Sequence, residues 1–221
     1  SFGTSISHMQ ADGRGNIVLL GRTSFGTARF GSLRTGAGTF LARRTGKGDF
    51  GLLRSMPVLD HVLAVDGPGN MFVVTQARDT AIELDGHTLP IFRTHFIKFT
   101  SEGRVAWVAS RTNPDPLPPD PFEYIPSMLV THAVTDAEEN PVFAWQHSGF
   151  PRFGDILLTN SPPYVAQFDR EDGRLLQATS FGFGLTTPFA HAAISALHPA
   201  PGGGLLVGGK VTVRPPNPWE E

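Results

Sequence analysis

Ala11-Asp12-Gly13-Arg14-Gly15-Asn16 leads into the apolar run Ile17-Val18-Leu19-Leu20, and the same succession returns three times along the chain. Val65-Asp66-Gly67-Pro68-Gly69-Asn70 precedes Met71-Phe72-Val73-Val74, and Thr135-Asp136-Ala137-Glu138-Glu139-Asn140 precedes Pro141-Val142-Phe143-Ala144. A degraded copy, His198-Pro199-Ala200-Pro201-Gly202-Gly203-Gly204, precedes Leu205-Leu206-Val207. Asp and Asn close turns through their own side chains, and Gly supplies positive φ, so each copy reads as a turn followed by a short strand. Repetition of this kind means an array of supersecondary units, each hiding an apolar face against its neighbour.

The second half of the unit also recurs. Phe40-Leu41-Ala42-Arg43 leads through Gly48 to Phe50-Gly51-Leu52-Leu53. Its counterparts are Phe96-Ile97-Lys98-Phe99, Gly103 and Val105-Ala106-Trp107-Val108, then Tyr164-Val165-Ala166-Gln167-Phe168, Gly173 and Leu175-Leu176. These are strand pairs joined by glycine-bearing turns. Between the halves, Arg29-Phe30-Gly31 matches Arg152-Phe153-Gly154, with Leu84-Asp85-Gly86 as a looser copy. With one strand before each Asp turn, one after it and two in the later hairpin, a unit has four strands. No window holds the 3.6-residue periodicity of a helix. The expected fold is all-β and of β-propeller type: three four-stranded blades and part of a fourth, an open fragment of a larger propeller.

These motifs resemble the bacterial beta-propeller repeat called the SBBP repeat. Residues 61–110 carry the pattern most fully, with Asp66, Gly69, Asn70, Phe96, Lys98, Gly103 and Trp107 in place. The first unit has Leu52 where the pattern has tryptophan; the third has Gln177 there and lacks the glycine of the Asn turn. The resemblance implies a secreted or cell-surface bacterial protein, extracellular or periplasmic. It also implies a scaffold that meets a protein or glycan partner through its inter-blade loops.

The units fall at about 4–55, 61–110 and 128–181, with a partial one at 192–214, in one incomplete domain over 1–221. Ser1-Phe2-Gly3 repeats Ser180-Phe181-Gly182, so the chain reads as starting at the tail of a missing blade, and missing blades of the same chain are expected partners. The turns end at 16, 70, 140 and 204, a spacing of 54, 70 and 64. The excess falls in the inter-blade loop 111–127, where five prolines between Arg111 and Pro121 preclude ladder strands.

Composition excludes several functions. A net charge of −2 argues against a general nucleic-acid surface, the absence of cysteine excludes disulfides and thiolate chemistry, and no apolar run reaches the ~20 residues of a membrane helix. There is no Gly-x-Ser-x-Gly elbow and no phosphate-binding Gly-x-x-x-x-Gly-Lys loop. The Asp turns lack the ligand spacing of an EF-hand and read as turns. Glu138-Glu139 reads as a solvated turn, and Trp107 and Trp145 read as core between blades. No catalytic or cofactor-binding residue is assigned, and no cofactor.

Histidine offers the one alternative. His8 and His132 each lie four residues before their Asp, His61 sits one place off that register, and His191 lies near the start of the fourth copy. In a propeller the first strand lines the channel, where neutral imidazoles can ligate a divalent metal. His8, His132 and His191 are therefore the metal candidates of a second reading, a metal-dependent lyase or hydrolase. The favoured reading is a non-catalytic scaffold or binding module.

Overall fold

The computed structural model describes residues 3–56, 62–77, 80–91, 93–111, 129–146, 152–153, 155–158, 163–181 and 190–213. The Pro-rich segment after Arg111, His61 and the terminal residues from 214 onward lie outside the described residues. All regular structure among the described residues is β, in several small antiparallel sheets.

The first sheet is formed by β1 (Thr4–Ala11), β2 (Ile17–Thr23), β5 (Gly38–Arg44) and β6 (Phe50–Met56), paired in that order. Between its halves stands a small hairpin, β3 (Ala28–Phe30) with β4 (Leu33–Thr35). The second sheet repeats the plan with β7 (Leu63–Val65), β8 (Met71–Ala77), β11 (Arg93–Phe99) and β12 (Val105–Ser110), and a hairpin of β9 (Ile82–Leu84) and β10 (His87–Leu89). The third has β13 (Leu129–Thr135), β14 (Pro141–Gln146), β17 (Tyr164–Phe168) and β18 (Leu175–Ser180), with β15 (Arg152–Phe153) and β16 (Ile156–Leu157) as its hairpin. Last come β19 (Ala190–Ala200) and β20 (Gly204–Val213), paired only with each other. Each expected four-strand unit is thus a meander in sequence order.

The three hairpins were absent from the four-strand reading of the sequence. They form where Arg-Phe-Gly and Leu-Asp-Gly recur, runs too short to register as strands. Asp85 and Gly86 turn β9 into β10 with φ of 49° and 81°, the two positive values that a tight two-residue hairpin requires.

The sheets stack serially through shared apolar layers. Val18, Leu20, Leu41 and Met56 of the first sheet meet Val65, Met71, Val73, Ile97 and Phe99 of the second. Phe72, Val74, Phe96 and Trp107 on the other face of the second sheet meet Phe143, Trp145, Tyr164 and Phe168 of the third. Val142, Ala144 and Val165 then meet Ile194 and Leu197. Each small hairpin seals the layer in front of its own sheet: Phe30 lies 4.9 Å from Phe40, Leu84 and Leu89 join the first layer, and Phe153 joins the second. Because both faces of the second sheet are covered, all seven residues of β8 are buried.

Pairing also corrects the repeat alignment. Phe40 lies opposite Gly21, whereas Phe96 lies opposite Val74, the register position of Leu20. Phe96 therefore occupies the place of Leu41 and faces the following sheet, while Phe40 faces the preceding side. His95, not Phe96, stands where Phe40 and Tyr164 stand. Matching phenylalanines misaligned the unit by one residue, because the hairpin after Asn70 begins one position later than the other two.

Candidate functional site

The recurring turns are closed by one hydrogen-bond pattern. The Asp12 carboxylate accepts the amides of Arg14 (2.9 Å) and Asn16 (2.8 Å) and the Asn16 side-chain amide (2.7 Å). Asp66 accepts the amide of Asn70 at 2.6 Å and its side chain at 2.7 Å. Asp136 accepts the Glu138 and Asn140 amides at 2.9 and 2.8 Å, and the Gln167 side chain takes the third place. Burial opposes ionisation of Asp12. The hydrogen bonds from Asn16 and Arg14, together with the Arg43 guanidinium, outweigh it and hold the carboxyl below its ordinary value. These oxygens are committed to backbone and side-chain amides, which gives the turns a structural occupation.

Asn carries the second half of the device. Its side-chain oxygen accepts an amide from the later hairpin of the same unit: Gly46 to Asn16 at 3.3 Å, Ser101 to Asn70 at 3.1 Å and Arg170 to Asn140 at 3.1 Å. One side chain thus pins two turns about thirty residues apart at the same rim of the sheet.

The rim then ties sheet to sheet. The Gly13 amide donates to the Gly67 carbonyl (3.1 Å), and the Gly67 amide donates to Glu139 Oε1 (3.1 Å). Arg43 donates to the Gly69 carbonyl, while Lys98 and Trp107 Nε1 donate to the Arg170 carbonyl at 2.6 and 3.0 Å. Glu139, expected to be solvated, instead takes φ of 66° at the position that Gly15 and Gly69 occupy in the other turns. Its carboxylate spans Gly67 and Arg170 Nη1 (3.1 Å), so the missing glycine of the third unit is a clamp gained at the expense of backbone strain. Arg54 of β6 makes a second clamp, bidentate to Asp85 at 2.6 and 3.0 Å. The Arg54 bonds, then that of the Val105 amide (2.8 Å), keep the Asp85 carboxyl below its usual value.

At the first strands, Gln10 joins all three sheets: its oxygen accepts the Val65 amide (3.0 Å) and its nitrogen donates to the Ala133 carbonyl (3.2 Å). The bulges Ile6/His8, Val130/His132 and Ile194/Ala196 repeat in register. The bulged Ser7 and Thr131 bond back to the Leu20 and Ala144 carbonyls at 3.1 and 3.3 Å.

Each histidine candidate has a defined place. His8 and His132 both follow the bulge, opposite Leu20 and Ala144, and the equivalent residue of β19 is Ala196. His8 shares a face with Leu20 and Leu41, in the layer between the first two sheets, and His132 shares one with Ala144 and Val165, in the layer before β19. His191 pairs with Thr212, five positions from Ala196, and its side chain lies outside the described residues. Among the described residues no three His, Cys, Asp or Glu side chains gather as a metal group. Among the described residues the fully buried histidine is one the sequence did not single out: His95 stands between Ser110 Oγ (2.8 Å) and the Pro90 carbonyl (2.9 Å). Burial pushes its imidazole below the ordinary value, against the opposing pull of the Pro90 carbonyl, so Nε2–H donates to Pro90 and Nδ1 accepts from Ser110.

In comparisons with known proteins, no family model and no curated protein matches this chain.

Proposed function

We propose that the chain is a β-propeller-type array serving as a non-catalytic binding scaffold. The observation that carries this reading is Gln10, which stands on the first strand of one four-stranded sheet and whose amide group bonds the first strands of the other two. First strands that converge while whole sheets stack serially fit a radial arrangement with those strands innermost. The conspicuous polar groups of the repeats, Asp12, Asp66, Asp136, Asn16, Asn70 and Asn140, are engaged in holding turns and sheets together. That chemistry suits a rigid frame. The motif resemblance supports an exported bacterial setting and contact with a protein or glycan through the connecting loops. Among the described residues no helix is long and apolar enough to cross a membrane.

The test is metal analysis of the purified chain alongside glycan-array and peptide-library binding in the presence of a chelator. Saturable, chelator-resistant binding is the expected result. Stoichiometric metal that is lost in His8→Ala and His132→Ala variants, with binding abolished by chelator, would replace the scaffold with the metal-dependent enzyme. Radial packing is tested separately by an experimental structure of the chain.

A further inference from the structure

The last two strands reproduce the start of the other sheets in register, yet among the described residues β20 has no third strand on its outer edge. What belongs there follows from the pairing. Gly209 is the equivalent of Gly21: both lie next after the residue opposite the bulge end, Gly208 and Leu20 respectively. Both press on the neighbouring first strand, so that a Cβ would meet the Ala193 carbonyl at 2.7 Å and the Ser5 carbonyl at 2.4 Å. In the first sheet the third strand lays Phe40 over that glycine. The same position holds His95 opposite Thr75 and Tyr164 opposite Trp145, and all three rings are buried.

At Gly209 there is instead a mainly apolar groove of about 180 Å³, whose lining includes Phe181, Ile194, Val207, Gly209, Val211 and one cation, Lys210. It lies on the side of β20 toward the third sheet, the same side on which Phe40 and Tyr164 stand in their sheets. An apolar cavity of about 150 Å³ admits a benzene ring. The residue two positions beyond each ring, opposite the equivalent of Val207, is Ala42, Ile97 or Ala166.

We propose that the β20 edge and this groove form a docking site for an extended peptide strand. The strand pairs antiparallel with β20, places an aromatic ring over Gly209 and sets an aliphatic residue opposite Val207. Main-chain hydrogen bonds supply affinity and the ring socket supplies selectivity. The required triplet is aromatic, apolar, aliphatic, as in Phe40-Leu41-Ala42, His95-Phe96-Ile97 and Tyr164-Val165-Ala166. This inference rests on pairing register and not on the scaffold reading above.

The experiment titrates the isotopically labelled full chain with an acetylated, amidated peptide of residues 38–44, followed by amide NMR. Expected are shift changes at 205–211 and 192–194, contacts between the peptide ring and Gly209, and binding at least about tenfold weaker for the peptide carrying Phe40→Ala. Val211→Glu, at an exposed rim position, is expected to weaken binding without unfolding the chain. The proposal is overturned by no shifts at millimolar peptide, by shifts elsewhere, or by equal affinity for the alanine peptide. It is also overturned by concentration-dependent dimerisation through β20, which would make a second copy the occupant.

Discussion

The first and second sheets share one strand plan but differ in what covers them. Leu63 of β7, three residues before its Asp, is 1% exposed because the first sheet covers it, while Met9 of β1, at the same place before Asp12, is 65% exposed. The two positions are equivalent and both side chains are apolar. Burial here is conferred by the neighbour and not by the strand, which is the logic of a one-dimensional array. Side chains inside the middle layers should therefore carry stability far out of proportion to similar residues on the outer face.

The sharpest way to break that contrast is Phe96→Ala. Phe96 stacks on Phe168 at 4.6 Å and touches Phe143 and Phe153 at 5.1 and 5.6 Å, so truncation is expected to cost about 3–5 kcal/mol in chemical denaturation. A loss below about 1 kcal/mol would mean the layer does not form as described. Asp66→Ala, which leaves the Asn70 amide and side chain without their acceptor, is expected to cost about 2–3 kcal/mol. Glu139→Gly relieves the positive φ but removes the clamp to Gly67 and Arg170, opposing effects that should leave a net change within about 1 kcal/mol. Thermal melts of the double substitution Glu139→Gly with Arg170→Ala would separate the two contributions. Met9→Ser, on the uncovered face, should move stability by no more than about 0.5 kcal/mol.

A pH titration sharpens the comparison further. His95 is held neutral, so the unfolded chain binds the proton more readily than the folded one. Stability should be fully present above pH 6.5, the ordinary histidine value, and decline as the pH falls toward the depressed folded value. His95→Gln should flatten that part of the profile, measured as the denaturation midpoint against pH. An unchanged slope would remove the buried neutral imidazole from the account.

The all-β class and the Asp turns were legible because they depend on local chemistry: turn formers at fixed places and short apolar runs between them. Trp107 and Trp145 were likewise read as core, and they are 6% and 0% exposed. What escaped is long-range. Nothing in the spelling of Gln10 marks it as the link between strands 123 positions apart. Glu138 and Glu139 look alike, yet only Glu139 adopts the left-handed conformation that turns its carboxylate onto the adjacent sheet. Phe96 matches Phe40 in identity but not in backbone register, and only strand pairing reveals the difference. A signal for the clamp was present in the one Asn turn without glycine, where a substitution at a strained position asks for a compensating contact.

The bonds along the rim have a direction. Gly13 gives its proton to Gly67, Gly67 gives its own to Glu139, and Arg43 and Lys98 likewise reach forward to carbonyls of the next sheet. Along this rim the first sheet therefore offers protons to the second and the second to the third, like a plug and a socket, whereas at the first strands the Val65 amide donates back to Gln10. Genetic duplication of one whole module would splice into the series with both connectors already matched, whereas insertion of half a module would leave them mismatched.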